Sequence, residues 1–502
     1  MTDDFKVMFT AAPGFIMWPN GIMQLETTMP SCALYTLAAV VERAGFPCTI
    51  VDPVEYWRSC RNLSAFQALV SKHRVVCISA NSITWFTALP LIQHIAQAVP
   101  RPIIVAGGLH PTYCDENVLE TSEVDVVVRG EGEVVIRELL RAIASGSPLD
   151  DIHGLAFKRD GRIIRTPDRH PLSAEEISET PLPYWDRLPP LTYSFIPIEM
   201  SRGCKFGCTF CGIYHRRLWR TASDSCIRRR IEDAARHLPW VRQRAFMFTD
   251  DCFTGSIDKL RVVESALRDF APDVGIGIEA RAPDVLNTET LSVLKNLNIE
   301  FIQIGVECGY DEGLRKIKKG ITIEQVIAST HAMHSIGLDD RVKYSFIVGF
   351  PWETPDDVMR TINFALGLGS RYRNKIQINW LLITPGSEIF EQFQREKLVS
   401  YDDYNTIPPN VPGLFMRSHP SIAEADAMMI HDYAIFVQQS FPWVGALGNL
   451  FRLWNRHAHV PFDRTTPVKK DSAFDSSNPA RLNVDFLREY LPPVFHSTEL
   501  GG

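Results

Sequence analysis

The amino-acid sequence predicts an α/β protein with two successive parallel sheets, followed by a mostly helical C-terminal region. Two features predict this: short apolar strands alternate with helical segments twice along the chain, and glycine or polar turns follow most of the strands. The 502 residues, of which 45% are hydrophobic and 22% charged, suffice for several globular domains. We expect a first domain over residues 1–145, a linker over 146–194, a second domain over 195–400 and a mostly helical region over 401–502.

The first region is typical of a doubly wound parallel sheet. Its predicted strands are Phe5–Phe9, Cys48–Val51, Val75–Ser79, Ile103–Ala106 and Val124–Val128, with helices over Ala33–Ala44, Thr87–Val99 and Val134–Ile143. Ligands of such sheets bind at the carboxyl ends of the strands. The candidate ligand-binding residues at these ends are Ser79, Gly107, Gly108, His110 and Gly130. Glycine turns and polar loops are also common without a ligand, and a capping role is the alternative for the histidine.

The linker carries a hairpin signal and then a proline-rich stretch. Leu155–Phe157 and Ile163–Ile164 flank Asp160 and Gly161, a pair that favours a tight turn between antiparallel strands. Prolines at four positions between 181 and 190 are typical of an extended segment. We therefore expect a hairpin and then an extended chain in this linker.

The second region predicts six βα units, which suit a partial parallel barrel of the TIM type. Its predicted strands are Ser194–Glu199, Ala245–Thr249, Gly275–Glu279, Phe301–Val306, Val342–Val348 and Ile376–Ile383. Helices are predicted between them, over Ile257–Phe270, Pro283–Leu297, Glu312–Ile317, Ile323–Ile336 and Pro355–Leu368. In such barrels the chemistry takes place at the carboxyl ends of the strands.

Three cysteines follow the first of these strands directly. Cys204, Cys208 and Cys211 have the spacing C-x3-C-x2-C. Three thiolates this close can hold three corners of a [4Fe–4S] cube and leave the fourth iron open to a small molecule. Zinc is the alternative, but its fourth ligand would have to be His215 or Cys226, because no second cysteine pair follows.

Composition and charge limit the partners and the compartment. The net charge of -7 argues against nucleic-acid binding, and no stretch approaches the ~18 unbroken apolar residues of a membrane span. The 11 cysteines are an odd number and are scattered, and the acidic start of the sequence lacks the pattern of a secretory signal. We expect a cytoplasmic protein without disulfide bonds.

Further motifs extend the pattern beyond the cysteines. They are aromatic Phe210 before the last cysteine, the Asp-Asp-Cys-Phe turn within Phe246–Phe253, the Gly-Val-Glu-Cys-Gly stretch within Ile304–Gly309, the basic Leu314–Gly320 run and the Phe346–Thr354 turn. In the first region, Gly107–Pro111 and Gly130–Glu133 form two further turns. Together these motifs, over residues 5–400, resemble the radical S-adenosylmethionine (SAM) superfamily, in its branch with an N-terminal cobalamin-binding domain. Phe350 and Trp352 depart from the smaller residues of that family's turn, and no Asp-x-His-x-x-Gly motif is present.

The resemblance implies roles for residues of the second region. Cys204, Cys208 and Cys211 would hold the cluster, and SAM would chelate the open iron. The remaining implied contacts of SAM are Phe210 beside the adenine, Asp250 and Asp251 with SAM or substrate, Glu307 with the ribose or ammonium, Arg281 with the carboxylate, and the backbone of Gly386 near the adenine. The alternatives are a helix N-cap for the two aspartates, an ion pair for the glutamate, a surface position for the arginine and an ordinary turn for the glycine.

The resemblance also implies cobalamin as a cofactor of the first region. Gly107, Gly108 and Gly130 would admit the flat corrin, His110 would lie near cobalt, and Ser79 would bond to cofactor amides. A domain that has lost cobalamin and serves as a scaffold is the alternative.

The implied reaction is SAM cleavage at the cluster to activate a substrate C–H bond, followed by cobalamin-dependent C-methylation in a biosynthetic pathway. The alternatives are a non-methylating radical cyclase or oxidative rearrangement, and a non-catalytic iron–sulfur or zinc module. We expect a small-molecule or peptide substrate, with apolar residues near the C-terminus indicating a hydrophobic one. We expect an external electron donor of the flavodoxin or ferredoxin type, because no second cluster motif is present.

Overall fold

The computed structural model describes residues 5–17, 23–25, 28–54, 63–371 and 374–406, together with residues 419, 421–423, 426–427, 430 and 434. The helical region expected over residues 401–502 therefore lies largely outside the described residues. In the described part, no helix is both long and apolar enough to cross a membrane.

The first sheet has seven strands in the order β4-β1-β5-β6-β7-β8-β9. They are β1 (Val7–Ala11), β4 (Cys48–Val51), β5 (Val75–Ser79), β6 (Ile103–Gly107), β7 (Val126–Val128), β8 (Leu155–Arg159) and β9 (Arg162–Arg165); a separate small pair is formed by β2 (Phe15–Met17) and β3 (Met23–Leu25). The first five strands of the sheet are parallel, which confirms the predicted fold class. The order changes direction at β1, and open α/β sheets bind ligands beside such a reversal.

The hairpin expected in the linker belongs to the first sheet instead. Strand β8 pairs antiparallel with β7, and β9 pairs with β8. Asp160 and Gly161 both have positive φ, as the predicted tight turn requires. The predicted hairpin is therefore confirmed, but the first sheet continues past residue 145 to Arg165, because the hairpin covers the edge that β7 would otherwise leave unpaired.

The helices of the first region pack around this sheet. They are α1 (Cys32–Arg43), α2 (Leu63–Val70), α3 (Trp85–Ala96), α4 (Leu109–Tyr113), α5 (Asp115–Thr121) and α6 (Gly132–Ser145), followed by α7 (Ala174–Glu179). Helix α6 shows why they form: its buried residues Val135, Ile136, Leu139 and Leu140 recur at helical spacing, and left-handed Gly146 ends it. Helix α1 packs on α6, and α2 packs on α3.

The second sheet has six strands in chain order, and every neighbouring pair is parallel. They are β10 (Phe195–Ile198), β13 (Ala245–Phe248), β14 (Gly275–Ala280), β15 (Ile299–Glu307), β16 (Val342–Val348) and β17 (Lys375–Trp380). This is the predicted partial barrel. Because side chains alternate along a strand, one face carries Ile276, Ile278, Ile302 and Ile304, all buried under the helices.

The helices of the second region are α8 (Asp224–His237), α9 (Ile257–Phe270), α10 (Thr288–Asn296), α11 (Asp311–Lys316), α12 (Ile323–Ser335), α13 (Pro355–Arg371), α14 (Glu388–Arg395) and α15 (Asp403–Thr406). The single helix predicted over Pro283–Leu297 is wrong in its start. A 3₁₀ turn over Asp284–Leu286 comes first, and α10 begins after Asn287, whose side chain accepts hydrogen bonds from the amides of Glu289 and Thr290.

Candidate active site

The cysteine loop lies at the carboxyl end of β10, at the base of a short hairpin. Strands β11 (Ser201–Arg202) and β12 (Arg220–Thr221) pair antiparallel and bracket residues 203–219. Gly203 has a φ of 78°, and a Cβ there would collide with the carbonyl oxygen of Leu218. The glycine is therefore required for the sharp entry into the loop.

The three thiols form no disulfide and are partly accessible. A hydrogen bond with Cys252, aided by the Phe206 amide and the charge of Arg281, lowers the pKa of Cys204 to about 6. Burial raises the pKa of Cys208, and raises that of Cys211 to about 11. Metal binding requires the thiolate form and would displace these protons.

The arrangement of the thiols suits a cluster better than a single ion. Among the residues that the structure describes, no three His, Cys, Asp or Glu side chains converge where one metal ion could lie. In an iron–sulfur cube each thiolate binds a different iron, so the three sulfur atoms need not converge. The residues of this loop therefore fit a [4Fe–4S] cluster.

Asp250 and Asp251 hold the start of the cysteine loop. The Asp250 carboxylate is 1% exposed and accepts hydrogen bonds from the amides of Met200 (3.0 Å) and Ser201 and from the Ser201 hydroxyl (2.6 Å). Burial raises its pKa to about 7. Asp251 accepts a bond of 3.2 Å from the Gly203 amide. The helix N-cap alternative was wrong, because the next helix, α9, is capped by Ser256.

Glu307 forms a buried ion pair. Its Oε1 lies 2.6 Å from Nζ of Lys319, and both side chains are 9% exposed. Glu307 has a φ of 76°, at an irregularity in the pairing of β15 with β16. A left-handed glutamate is strained, and such strain is concentrated at functional sites. The ion-pair alternative is thus confirmed as a contact, while SAM binding by this residue stays a prediction.

Arg281 contacts the cysteine loop. The alternative prediction, that this arginine lies on the surface, was therefore wrong. Its guanidinium lies 3.4 Å from the ring centroid of Phe206, and its Nη2 donates to the carbonyl oxygen of Lys319 at 2.6 Å. Its Nε atom is buried without a hydrogen-bond partner. A buried unpaired donor is costly. This donor is therefore available to an acceptor on a ligand.

Phe210 packs into the turn that departs from the family pattern. Its ring lies 6.0 Å from that of Phe350, which in turn stacks on Trp352 at 5.1 Å. Glu353 holds this turn by accepting from the amides of Gly349 (2.6 Å) and Phe350 (2.9 Å). The turn accommodates the large side chains of Phe350 and Trp352 because their rings stack on each other, next to Phe210.

The two domains meet at the cysteine loop through two tyrosines. A Cβ on Gly130 would lie 2.9 Å from the ring of Tyr214, and a Cβ on Gly386 would collide with the ring of Tyr113. The Tyr113 hydroxyl donates to the carbonyl oxygen of Ile213 at 3.2 Å. Gly386 and Gly130 both have positive φ. Both glycines therefore permit a close approach between the domains. Gly386 lies in a turn, as the alternative predicted, and also packs on a tyrosine of the first domain, while its contact with adenine stays a prediction.

His110 lies inside the first domain. The ring is fully buried, stacks on Trp85 at 4.7 Å, and its Nδ1 lies 3.2 Å from the Ser82 hydroxyl. Burial lowers its pKa to about 3, so the ring is neutral. The capping alternative was wrong, because Gly108 occupies the N-cap position of α4. Its Nε2 atom is buried without a hydrogen-bond partner, and a position of this ring near cobalt stays a prediction.

The other candidates in the first domain lie at the expected edge. Gly108 has a φ of 98°, and a Cβ there would collide with the carbonyl oxygen of Ala80. At Gly107 a Cβ would make only an ordinary contact, 3.7 Å from the oxygen of Val128. Ser79 ends β5 and is half-buried. These residues leave space for a flat cofactor and can form hydrogen bonds with it, but none of them is a metal ligand. They therefore fit a corrin that is bound through its shape and through polar contacts.

Sequence reasoning missed several residues at the site. Lys319 was part of a recognised basic run, but its pairing with Glu307 depends on a chain reversal. Glu279 lies on the concave face of the barrel, where Gln303 donates to it at 3.2 Å. Glu279 is exposed towards the inside of the barrel, where partial desolvation by the surrounding protein raises its pKa, as do the nearby charges of Asp251 and Glu307. The strict alternation of β14 was a signal for Glu279, because it places this side chain opposite the apolar face.

Comparisons with known proteins agree with this geometry. The model of the radical SAM superfamily matches residues 198–365, and that of the B12 binding domain matches residues 22–140. The chain is 30% identical over 349 residues to an uncharacterized methyltransferase of Pyrococcus horikoshii, covering 67% of this chain and 73% of the relative. It is 28% identical over 341 residues to the anaerobic magnesium-protoporphyrin IX monomethyl ester cyclase of Rubrivivax gelatinosus, covering 63% and 58%.

Two solved structures share the fold. The cobalamin-dependent SAM radical enzyme OxsB with aqua-cobalamin bound has a TM-score of 0.66 at 15% identity, covering 91% of this chain and 69% of that one. The radical SAM methyltransferase TsrM from Kitasatospora setae has a TM-score of 0.61 at 16% identity, covering 78% and 76%. The cofactors of such a family are SAM, a [4Fe–4S] cluster and cobalamin. The chain is thus an enzyme of the radical SAM superfamily, in the branch that carries a cobalamin-binding domain.

Proposed function

We propose that this enzyme methylates a carbon atom of its substrate by radical chemistry. The observation that carries the proposal is the contact between the two ligand edges: Gly130, at the first edge, packs on Tyr214 of the cysteine loop, and Tyr113 bonds to Ile213. A methyl donor at the first edge and SAM at the second would then share one chamber. The methyltransferase relative and the fold shared with TsrM support this choice.

Residues of this chain would bind the cofactors and hold them in position. When bound, the cluster supplies the electron that cleaves SAM, and cobalamin carries the methyl group. Cys204, Cys208 and Cys211 would hold the cluster, while Asp250 and Asp251 fix the backbone that leads into their loop. Glu307 and Arg281 would orient SAM; their positions at the carboxyl ends of neighbouring strands support this assignment.

The concave face of the barrel indicates a substrate with polar groups. Alternation along the strands places on this face Glu279, Gln303, Lys343, Gln377 and Asn379. The Nζ atom of Lys343 lies 4.8 Å from the ring centroid of Phe301, and the charge of Glu279 acts on this lysine. Such groups would bond to hydroxyl, amine or acidic groups of a small molecule or peptide. This differs from the hydrophobic substrate expected from the C-terminal residues, which lie outside the described part of the chain.

A non-methylating radical reaction is the second candidate, and the similarity to the Rubrivivax gelatinosus cyclase favours it. In either case an external one-electron donor, such as a flavodoxin or ferredoxin, would reduce the cluster.

The test uses oxygen-free, reconstituted protein with SAM, dithionite and cob(I)alamin. We expect 5′-deoxyadenosine, and also S-adenosylhomocysteine together with the absorbance of methylcobalamin. If 5′-deoxyadenosine forms without S-adenosylhomocysteine, methylation is refuted and the second candidate is favoured. The matched control is the Cys204→Ala/Cys208→Ala/Cys211→Ala variant, which should yield no 5′-deoxyadenosine.

A further inference from the structure

A buried charge cluster joins the first domain to the base of the cysteine loop. We call it the interdomain charge cluster; its members are Glu131, Glu133, Glu199, Arg202 and Arg220. Their side chains are between 9% and 24% exposed. Arg202 lies 3.2 Å from Glu131, 2.7 Å from Glu133 and 2.9 Å from Glu199, so its planar fork contacts both domains.

Glu131 bridges the two arginines of the small hairpin. Arg202 and Arg220 are directly paired in β11 and β12, two residues before Cys204 and directly after the loop. Like charges placed opposite each other in a sheet repel. The Oε1 atom of Glu131 lies 3.2 Å from Arg202, and its Oε2 atom lies 2.9 Å from Arg220. A carboxylate from the first domain therefore stabilises the hairpin that carries the cluster ligands.

The other end of the bridge is the ligand edge of the first domain. Glu131 follows Gly130 at the carboxyl end of β7, and the Gly130 amide donates to the Thr112 hydroxyl at 3.0 Å. Within the loop, Nε2 of His215 lies 3.5 Å from the same Glu131 carboxylate. A cofactor that displaces the 130–133 turn would move this carboxylate relative to Arg202 and Arg220, which precede and follow the loop.

We propose that Glu131 is a positioning residue that couples the two cofactor sites, so that cobalamin bound at the first edge changes the electronic properties of the cluster. The coupling acts through the hairpin arginines and not through contact between the cofactors. It requires both cofactors but not methylation, and it holds equally for a non-methylating reaction. Reciprocity then requires that reduction of the cluster change the affinity for cobalamin by the same free energy.

The test measures the cluster's midpoint potential, by an EPR-monitored titration, with and without hydroxocobalamin. Three proteins are compared: wild type, Glu131→Gln and the control Glu138→Gln. Glu138 lies on α6, of which Glu131 is the N-cap, but it pairs with Arg169, a residue outside the cysteine loop, at 2.9 Å. In wild type and control we expect the potential to shift on adding cobalamin, with cobalamin affinity differing about fivefold or more between oxidised and reduced protein. In Glu131→Gln the shift should vanish while iron content is retained.

Two results would overturn the proposal: no shift in wild type, or a wild-type shift in Glu131→Gln. If Glu131→Gln does not retain its cluster, Arg220→Lys takes its place, since it keeps the positive charge but loses the geometry of the guanidinium. The shift must then be smaller than in wild type; an unchanged shift rejects the coupling. A merely structural role would lower stability without altering the response of the potential to cobalamin.

Discussion

The two ligand edges of this enzyme are built in different ways. The barrel edge is fixed by buried carboxylates and ion pairs: Asp250 binds the loop backbone, and Glu307 pairs with Lys319. The edge of the first domain has left-handed Gly108 in its turn, while the neutral histidine two residues later is buried inside the domain and stacks on Trp85. A metal cluster needs a few donors at fixed positions, whereas a large flat cofactor needs space and shape. The difference shows why one site has a short sequence signature and the other does not.

Removing the cluster ligands should give the largest effect, and only at the barrel edge. For Cys204→Ala/Cys208→Ala/Cys211→Ala we expect iron to fall from about four atoms per chain to background, while cobalamin binding persists. The control is Cys226→Ala, a buried cysteine on α8 outside the motif, which should keep its iron. Anaerobic iron and sulfide analysis checks this. Equal iron in the two variants would contradict the assignment.

Removing the carboxylate under the loop should cost stability in the barrel. Asp250→Ala leaves two buried amides and a hydroxyl without their acceptor, so we expect the free energy of unfolding to fall by about 3 kcal/mol. Asp251→Ala removes one bond of 3.2 Å and should cost about 1 kcal/mol. Denaturant unfolding measures both losses. If Asp251→Ala lowered the free energy of unfolding as much as Asp250→Ala, the two carboxylates would contribute equally to stability, contrary to this prediction.

At the other edge, neighbouring glycines should differ sharply. Gly108→Ala places a Cβ on left-handed backbone and against the Ala80 carbonyl oxygen, so we expect a loss of about 2 kcal/mol and weaker cobalamin binding. Gly107→Ala makes only an ordinary contact and should change stability by less than about 1 kcal/mol. Thermal unfolding and cobalamin absorbance titration distinguish them. Similar behaviour of both variants would mean that shape does not govern this edge.

The two regions should respond to pH in opposite directions. The pKa of Glu353 in the barrel is raised to about 7 from 4.5 by burial, so its contribution to stability is present below pH 4.5 and is lost as pH rises to 7. The pKa of His110 is lowered to about 3 from 6.5, so its contribution is present above pH 6.5 and is lost as pH falls.

Unfolding of wild type, Glu353→Gln and His110→Asn between pH 4.5 and 6.5 tests these signs. Relative to Glu353→Gln, the wild type should lose about 1.4 kcal/mol per pH unit as pH rises. Relative to His110→Asn it should lose about the same per unit as pH falls. Differences that do not vary with pH would show that neither group titrates as its burial implies.

Local patterns sufficed for most of the framework. Strands β5 and β16 have the predicted bounds, because Val75–Ser79 is a short apolar run and Val342–Val348 is rich in β-branched and aromatic residues. Helix α8 was missed, because its first turns are rich in arginine and only Cys226, Ile227, Ile231 and Ala234 are buried. An amphipathic stripe this sparse is a weak signal in one sequence.

Roles that depend on long-range contacts were predicted less well. The residue types at positions 250 and 251 suggested ligand contacts or a helix cap, yet both side chains bind the backbone of residues 200–203. The Gly-Glu-Gly-Glu turn was recognised as an edge of the first domain. That Glu131 bridges Arg202 and Arg220 was not predictable, because 71 and 89 residues separate the partners.

The sequence by itself determined the family, the two sheets and the spacing of the three thiols, because hydrophobic periodicity and a compact metal motif are encoded within short segments. Only the tertiary structure decided what surrounds them: the carboxylates under the loop, the ion pair of Glu307, and the contact of the first domain with the cysteine loop. Those contacts form between segments that meet only after the chain has folded, and their charges are tolerated only because each finds its partner on burial.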